Sequence, residues 1–520
     1  MKYFYKSKPF PHQHEEFTKH GLDLVRGIFW EQGVGKTKPT IDTAGALYER
    51  GIIDALAVLA PNGVHRNWLS DEIPAHMPDR IQEKMRAHIW QSNKAGTRKH
   101  DIPFTQTLKH KGLSLLFMSY SAVMTEKGRN ALKKFLIQRQ ALYVLDESHF
   151  IKNPSAKRTK RVLASARYAV HRRILTGTPI ANNPFDLYAQ LKFLDPTIWL
   201  EYGISDFAEF KVYFGLWENR TAKVRKKGSE QVRTVEYPHC LAYRNLDRLN
   251  TKLLSVGTRL TKESAGLDLP PKLYSKRYYD LNPEQVRMYQ ELKEEYITFL
   301  DKGEPCTVCG GSGFTQPTEG CVSCGGRGAI YSDPIEADLA IVRLLRFQQI
   351  ICGYIPSGDE QKLQPIGLKN PRFDVLKEIC EGAGYSTIIW SRFTNDIDMI
   401  TKYLGDDCVR YDGQVDDEQR AEAKAYFNEG KKKFFVANPQ AGATGLTLVI
   451  ARLMVYYANS FNLNLRLQSE DRFHRIGQKF PVSIIDIIAQ GTVDVHITGA
   501  LRDKQEVAAM VQGDKLRNWL

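Results

Sequence analysis

Short apolar runs, each ending in a polar and turn-rich motif, limit the fold of this chain more than any other feature. They lie at 56–60, 115–118, 141–145 and 173–175, and the same pattern returns at 386–390, 434–437, 453–457 and 482–488. Runs of this kind are typical of buried parallel strands, which carry functional residues at their carboxyl ends. The sequence therefore predicts an α/β protein with two parallel-sheet lobes and a cleft between them.

A glycine-rich loop with a lysine precedes a predicted helix near the start of the chain. Gly33 and Gly35 allow backbone N–H groups to approach a phosphate, and the helix adds the positive end of its dipole. Lys36 supplies a charge to the β and γ phosphates, and the Thr37 hydroxyl is a ligand for Mg²⁺. The loop thus predicts a site for ATP and Mg²⁺, although Trp30 stands where the usual loop has its first glycine.

Two further charged groups meet the other needs of phosphoryl transfer. Asp146 follows five apolar residues, so it emerges at a strand end where it can hold Mg²⁺, and Glu147 can polarise the attacking water. Arg472 and Arg475 are three residues apart, so on a helix they share one face and can reach the γ-phosphate. The loop, the carboxylates and the arginines follow one another in the order of an ATP-driven motor.

These groups and several longer motifs resemble the Swi/Snf branch of superfamily-two helicase-like ATPases, in its compact phage or bacterial form. The motifs that carry the resemblance lie at 60–64, 67–68, 151–155, 175–180, 269–272, 283–285, 411–413, 420, 441–446 and 471–478. The resemblance covers about residues 10 to 495 and implies that Gln13 contacts the adenine edge and that Gly445 contacts ATP. It also implies that four polar residues couple ATP to movement on nucleic acid: Thr176, Thr178, Gln468 and His149.

The same resemblance implies a track of backbone N–H groups and polar side chains that grips a DNA backbone without selecting its sequence. The residues expected on it are Pro61, Asn62, Gly63, Ser119, Tyr120, Lys152, Ser391, Arg392, Gln440 and Thr444. A formal net charge of +14, with basic stretches at 152–161 and 223–233, suits a polyanionic partner whose binding weakens as salt rises. DNA, whether duplex, forked or branched, is the expected partner.

Four of the eight cysteines form two Cys-x-x-Cys pairs in a glycine-rich segment: Cys306, Cys309, Cys321 and Cys324. Four thiolates at this spacing suit tetrahedral Zn²⁺, and the neighbouring glycines free backbone N–H groups to turn toward sulfur. The pairs resemble the zinc repeats of DnaJ-type chaperones. We expect a structural Zn²⁺ that holds together a segment without a core of its own, and we add the hypothesis that this module contacts DNA at a junction.

Five segments are predicted: a first lobe at 1–195, a helical protrusion and linker at 196–295, an insertion with the zinc module at 296–365, a second lobe at 366–505 and a helical tail at 506–520. The predicted fold class is therefore α/β, with two RecA-like parallel-sheet lobes, a helical insertion and a small zinc-binding module. No stretch has the roughly 18 apolar residues of a membrane helix, and the charged N-terminus differs from a signal peptide. A monomer in a bacterial or phage-infected host cytoplasm, with no membrane partner, is expected.

The leading interpretation is a DNA-dependent ATPase, or helicase, that translocates on duplex or branched DNA. Its specific activity is predicted to be fork regression or branch migration with limited unwinding, a step that rests on analogy with compact members of the family. An RNA-directed remodeller and the motor subunit of a restriction system stay open as alternatives. A non-catalytic, zinc-bearing nucleic-acid scaffold with an inactive nucleotide site is a further alternative, from a different class of protein.

Overall fold

The computed structural model describes residues 3–225, 232–300, 337–357, 362–442 and 446–512, with short strands at 304–305, 314–316, 319–320 and 329–330. Its strands are β1 Val25–Ile28, β2 Ala55–Ala60, β3 Met85–Ile89, β4 Leu113–Ser119, β5 Ala141–Asp146, β6 His171–Leu175, β7 Gly215–Arg225, β8 Val232–Tyr243, β9 Gly257–Thr258, β10 Lys272–Tyr279, β11 Glu304–Pro305, β12 Phe314–Gln316, β13 Glu319–Gly320, β14 Ala329–Ile330, β15 Tyr354–Ser357, β16 Lys362–Pro365, β17 Thr387–Trp390, β18 Cys408–Tyr411, β19 Phe434–Ala437, β20 Leu453–Tyr456 and β21 Val482–Ala489.

The helices alternate with these strands in both halves of the chain. They are α1 Pro11–His20, α2 Thr37–Glu49, α3 Val64–Asn67, α4 Ile73–His76, α5 Asp79–Gln82, α6 Arg98–Leu108, α7 Glu126–Gln138, α8 Lys157–Ala166, α9 Leu187–Leu194, α10 Phe207–Phe214, α11 Leu246–Ser255, α12 Pro283–Leu300, α13 Ala337–Ile351, α14 Pro371–Gly382, α15 Thr394–Leu404, α16 Asp417–Asn428, α17 Pro439–Gly442, α18 Leu463–Glu470 and α19 Val493–Gln512.

The first lobe is built on a sheet of seven parallel strands, in the order β3-β4-β2-β5-β6-β1-β9. Every residue of β2 and β5 is buried, because helices cover both faces of the sheet. One apolar cluster, around Tyr143 and Phe193, fills one face, and a second, around Trp30 and Trp68, fills the other. The apolar runs of the sequence supply the central strands of this lobe.

The second lobe has six parallel strands in the order β10-β21-β20-β17-β19-β18. The buried strands β17 and β19 lie at the runs predicted from the sequence, and apolar clusters again fill both faces. The prediction of an α/β fold with two parallel sheets is therefore confirmed. None of the helices in the described ranges is long and apolar enough to cross a membrane.

The segment 196–295, predicted as a helical protrusion and linker to the second lobe, contains strands as well as helices. Helices α10 and α11 lie there, but β7 and β8 form an antiparallel hairpin, β9 joins the first sheet and β10 joins the second. Most side chains of β10 are exposed or half-buried, because it lies at the edge of its sheet. An edge strand or an isolated hairpin needs no continuous apolar run, so the pattern that locates buried strands does not detect either.

The C-terminal helix α19 joins the two lobes. Ile497 and Leu501 belong to the core of the second lobe, whereas Ala508 and Val511 belong to the core of the first. Asn250 of α11, in the first lobe, donates a hydrogen bond to the Val511 carbonyl. The predicted tail at 506–520 is thus not a separate element where the structure describes it, because the helix that contains it begins at Val493.

The predicted zinc ligands Cys306, Cys309, Cys321 and Cys324 lie outside the described residues. Among the residues that are described, no group of three or more His, Cys, Asp and Glu side chains is arranged to hold a metal ion. The zinc module therefore stays a prediction from the sequence.

Candidate active site

The glycine loop connects β1 to α2 at one edge of the first sheet. Gly33 and Gly35 have φ angles of 82° and 83°, a left-handed conformation that glycine adopts at little cost. Lys36 donates a hydrogen bond to the carbonyl of Trp30 over 3.1 Å, and α2 begins at Thr37. The loop therefore presents backbone N–H groups, a helix N-terminus and an ammonium group in one place, as a phosphate requires.

Gln13 lies directly against this loop. Its amide nitrogen donates to the Gly35 carbonyl over 3.0 Å, and its amide oxygen accepts from the backbone N–H of Phe10 over 2.9 Å. A Cβ atom added at Gly35 would come within 2.4 Å of the Gln13 amide, so only glycine fits there. Gln13 thus holds the phosphate loop in this structure, and its contact with the adenine edge stays a prediction.

The acidic pair stands at the carboxyl end of β5. The indole N–H of Trp68 donates to the Asp146 carboxylate over 2.9 Å. Burial and the charge of Glu147 raise the pKa of Asp146 to about 6, and the Trp68 hydrogen bond and the Lys36 charge oppose this rise. Glu147 has a φ of 52°, a left-handed backbone that is strained in a residue other than glycine.

Glu147 belongs to a chain of polar contacts along the carboxyl ends of the neighbouring strands β5 and β6. Its carboxylate lies 3.2 Å from Nδ1 of His149 and accepts from the Thr176 hydroxyl over 3.4 Å, and that hydroxyl in turn accepts from the backbone N–H of Thr178 over 3.2 Å. Burial opposes ionisation, but the hydrogen bond and charge of His149, with Lys36, lower the pKa of Glu147. The predicted coupling residues of the first lobe are therefore in contact with the predicted base.

The two arginines do not share a helix face, because α18 ends at Glu470 and both lie in the turn that follows. The turn still brings them together: Arg472 and Arg475 both donate to the Leu446 carbonyl, over 3.3 and 3.4 Å. Arg472 also donates a hydrogen bond, over 2.9 Å, to the backbone carbonyl of Gln468, which is one of the predicted coupling residues. Burial, together with the charge of Arg475, lowers the pKa of Arg472 to about 10.

These groups from the two lobes converge on one site. The charges of Glu147, Asp146 and Asp471 counteract the lowering of the Lys36 pKa by burial, and the charge of Arg472 acts on Glu147. A Cβ atom at Gly33 would lie 3.6 Å from the Cβ of Arg475. The five predicted catalytic residues are thus close together, with Lys36 and the acidic pair on the first lobe and the arginines on the second.

The residues of this site fit ATP with Mg²⁺. A cavity of about 820 Å³ borders the loop at Glu31 and Gln32 but is not lined by the five predicted catalytic residues. The amide of Gln32 and the hydroxyl of Thr178 line it without a hydrogen-bond partner in the described part of the chain. Buried polar atoms of this kind are expected to bind a ligand or water. Asp146 and Thr37 provide the oxygen ligands that Mg²⁺ prefers.

Sequence analysis missed Lys262, which lies in the connection between β9 and β10. Its backbone N–H donates to the Glu31 carboxylate in the nucleotide loop over 2.9 Å. Its ammonium group forms an ion pair with Asp471 and donates to the His474 carbonyl over 2.6 Å, both in the arginine turn. Lys262 therefore joins the loop of one lobe to the arginines of the other. Its position before the Pro270-Pro271-Lys272 motif is the one signal that the sequence offers.

The first-lobe part of the predicted DNA track is only partly at the surface. Pro61, Asn62 and Gly63 follow β2, beside the end of its neighbour β4, and the Asn62 side chain accepts a hydrogen bond from Ser121 over 3.0 Å. Asn62 and Gly63 are exposed, and Ser119 ends β4 and lies 2.8 Å from the same Ser121 hydroxyl. Tyr120 is buried, and its hydroxyl donates to the Asp146 carbonyl over 2.9 Å, so its contact with DNA stays a prediction.

The predicted DNA track on the second lobe also contains both buried and exposed residues. Ser391 is fully buried and its hydroxyl donates to Asp396, so its contact with DNA stays a prediction. The Asn438 side chain donates to the Arg392 carbonyl and accepts from the Gln440 backbone, each over 2.8 Å, so it holds these two predicted contacts together. Thr444 and Gly445 lie outside the described residues.

Comparison with protein families finds two matches along the chain. The model of the SNF2-related domain matches residues 25–312, which is more than half of the 520 residues. The model of the helicase conserved C-terminal domain matches residues 371–477. The first match contains the glycine loop and the acidic pair, and the second contains the arginine turn.

The chain is also similar to individual proteins. The human SWI/SNF-related matrix-associated actin-dependent regulator of chromatin subfamily A member 1 is 27% identical over 94% of this chain and 42% of its own length. The ATP-dependent helicase fft1 of Schizosaccharomyces pombe is 25% identical over 90% of this chain and 48% of its own length. The chain thus spans less than half of these relatives. The SWI2/SNF2 ATPase core of Sulfolobus solfataricus in complex with dsDNA is 20% identical, with a TM-score of 0.39, over 99% of this chain and 95% of that one.

Proposed function

We infer the function from one premise: the chain belongs to the SNF2-related family and is an ATP-dependent helicase or ATPase of that family with a helicase conserved C-terminal domain. We propose that it uses ATP hydrolysis to translocate on DNA. Each ATP draws the two lobes together, and its hydrolysis lets them part, so that alternating grip on the two sides of the cleft moves the protein along the strand.

In this mechanism the two lobes supply different charges to one triphosphate. Lys36 and the loop N–H groups bind the phosphates, and Thr37 and Asp146 would hold Mg²⁺, which neutralises charge on the β and γ phosphates when bound. Glu147 accepts a proton from the attacking water. Arg472 and Arg475 stabilise the charge that develops on the transferred phosphoryl group.

The observation that carries this proposal is the contact between the nucleotide loop of one lobe and the arginine turn of the other, at Gly33 beside Arg475 and through Lys262. Hydrolysis needs both lobes in this arrangement, so the energy of ATP is tied to their relative position. The contacts from Glu147 through His149 to Thr176 and Thr178 offer a route by which the state of the phosphate reaches the loop that follows β6. An inactive nucleotide site, as in a scaffold protein, would not need this constellation.

DNA is the partner that we propose, in duplex, forked or branched form. The net charge of +14 and the exposed Asn62, Gly63 and Gln440 at the strand ends support a sequence-independent grip on phosphates. The relatives named above are a regulator of chromatin and a helicase, and this chain matches only part of each. We propose fork regression or branch migration as its specific task, in the manner of compact phage or bacterial members of the family.

The test is the ATPase rate of the purified protein with Mg²⁺ and a panel of nucleic acids. Forked, four-way, duplex and single-stranded DNA and RNA are compared at one salt concentration. We expect stimulation by DNA that is largest with junctions. Equal rates with junction and duplex would contradict branch migration alone, stimulation by RNA alone would favour the RNA-directed remodeller, and no phosphate release with any nucleic acid would contradict the motor.

The cysteine pairs at 306–309 and 321–324 are proposed to hold one structural Zn²⁺. The measurement is the zinc content of the purified protein, with the Cys306→Ser and Cys309→Ser double variant as comparison. We expect one equivalent of zinc that the double variant loses. A wild-type protein without zinc would contradict the proposal, and a double variant with full activity on forks would contradict a role of the module at junctions.

A further inference from the structure

A second cavity, of about 430 Å³, lies between the lobes and away from the glycine loop. Lys152 and Asn182 line it from the first lobe, Arg392 and Gln440 line it from the second, and Lys504 lines it from the C-terminal helix α19. Three of these five residues, Lys152, Arg392 and Gln440, are ones that the sequence independently predicts to contact DNA. Lys504 and Asn182 are not predicted by the sequence.

The described charged side chains that line this cavity are all positive. Neither Asp nor Glu occurs among the described residues that line it, whereas Lys152, Arg392, Arg466 and Lys504 all do. Arg466 is already neutralised by its buried ion pairs with Glu470 and Asp486. Three cations therefore face a space without a lining carboxylate, and such a space attracts an anion.

Lys504 is held in position for such an anion. Among the residues that the structure describes, its ammonium group donates one hydrogen bond, to the Phe461 carbonyl over 2.8 Å, and an ammonium has three donors. Burial and the charge of Lys152 lower the pKa of Lys504, and the charge of Asp186, which does not line the cavity, opposes this shift. An anion in the cavity would be attracted by both lysines.

We propose that this cavity binds a backbone phosphate of the DNA strand and that Lys504 of α19 is one of its ligands. The inference rests on the proposed function, because it names a further contact to the same DNA. The amide groups of Asn182 and Gln440 supply neutral donors beside the cations, as sequence-independent phosphate contacts commonly do. Since α19 is anchored in the cores of both lobes, a phosphate at Lys504 stabilises the arrangement of the lobes in which that helix is docked.

The experiment measures how the DNA affinity of the full-length protein depends on salt, for the wild type and two variants. Lys504→Gln removes the proposed ligand. Arg502→Gln is the matched control, because it removes one positive charge from the same helix at an exposed residue paired with Glu506. Each lost phosphate contact reduces the slope of log affinity against log salt by about 0.9 for duplex DNA. We expect this reduction for Lys504→Gln and an unchanged slope for Arg502→Gln.

The outcomes separate this inference from the proposed function. If the wild type binds no DNA, the proposed function fails. If the wild type binds DNA and both variants keep its slope, the phosphate site at Lys504 is overturned while the proposed function stands. Lys504→Arg keeps the charge and is expected to keep the slope, and a slope that falls as far as with glutamine would also count against a phosphate ligand.

A second measurement needs no variant, so it holds even if Lys504→Gln fails to fold. Lysines of the wild-type protein are modified with an amine-reactive reagent, with and without a DNA duplex, and quantified by mass spectrometry. We expect DNA to reduce the modification of Lys504 and Lys152 several-fold, and that of the exposed Lys19 on α1 to stay the same. Equal modification of Lys504 in both samples would overturn the proposal.

Discussion

At the scale of single residues, the catalytic groups can be predicted from local patterns, but their supports cannot. Lys36, Asp146 and Glu147 are predictable because a glycine loop or a buried strand places each of them. Trp68 is 78 residues away from the carboxylate that it holds, and only the packing of the first lobe brings the two together. For the same reason, the sequence does not reveal that the hydroxyls of Tyr120 and Ser391 bond inside the protein.

Replacing Trp68 with Phe is expected to weaken the use of Mg²⁺. The change removes the indole N–H that donates to Asp146, and a hydrogen bond to a charged group contributes about 1.5–3 kcal/mol. We expect the Mg²⁺ concentration for half-maximal ATPase activity to rise roughly tenfold or more, in line with that energy. Trp199→Phe is the control, since it removes a buried indole N–H that donates to the Tyr188 carbonyl instead. The same Mg²⁺ dependence in both variants would contradict the role of Trp68.

Replacing Glu147 with Gln is expected to separate ATP binding from hydrolysis. The amide keeps the shape of the side chain but cannot accept the proton of the attacking water, and loss of a general base costs roughly 10²–10⁴-fold in rate. Single-turnover hydrolysis measures the chemical step, and a fluorescent ATP analogue measures binding. We expect hydrolysis to fall by that factor while the Kd for the analogue changes little. Near-normal hydrolysis would show that another group is the base.

At the scale of secondary structure elements, prediction succeeds where an element is buried on both sides. The strands β2, β5, β17 and β19 are such elements, and an uninterrupted apolar run marks each of them. The exposed edge strand β10 has no such run. The turn after α18 has no periodic pattern that would identify it as a turn. The three-residue spacing of Arg472 and Arg475 therefore suggests that both lie on a helix, whereas α18 ends before them at Glu470.

The connection between β9 and β10 contains Lys262, and replacing this residue with Met is expected to slow hydrolysis more than it weakens ATP binding. The change leaves Asp471 without its buried partner and frees the arginine turn from the nucleotide loop. Misplacement of catalytic groups by about 1 Å can cost on the order of a hundredfold in rate. We therefore expect kcat to fall roughly ten- to hundredfold, with a smaller change in KM for ATP.

Lys272→Met is the matched control for this experiment. Lys272 forms an ion pair over 2.7 Å with Glu470, at the start of the same turn, but within the second lobe. If kcat depends on the link that Lys262 makes to the nucleotide loop, Lys272→Met lowers thermal stability without the same loss of kcat. Equal loss of kcat in both variants would mean that any damage near the turn has this effect.

At the scale of the whole molecule, the two lobes are held together by the same chain at separate places. The docking of α19 on the first lobe cannot be predicted from its apolar spacing alone, because that spacing does not say which core each residue enters. The distribution of charge between the lobes is equally a property of the fold. Lysine and carboxylates on one lobe face arginines on the other only after both sheets have formed.

Replacing Val511 with Asp is expected to detach the end of α19 from the first lobe. Val511 is fully buried, and removing a buried valine costs about 1.5–3 kcal/mol even without the added charge. We expect a lower Tm and several-fold weaker stimulation of the ATPase by DNA. Met510→Asp is the control, because Met510 is exposed on the same turn of the helix. Equal effects of both substitutions would argue against a role for this docking.

Within the described residues, the chain passes between the lobes twice, once between β9 and β10 and once along α19. Any change in the relative position of the two sheets therefore has to bend or shift at least one of these two connections. Substitutions that loosen either connection are expected to alter how far the lobes separate.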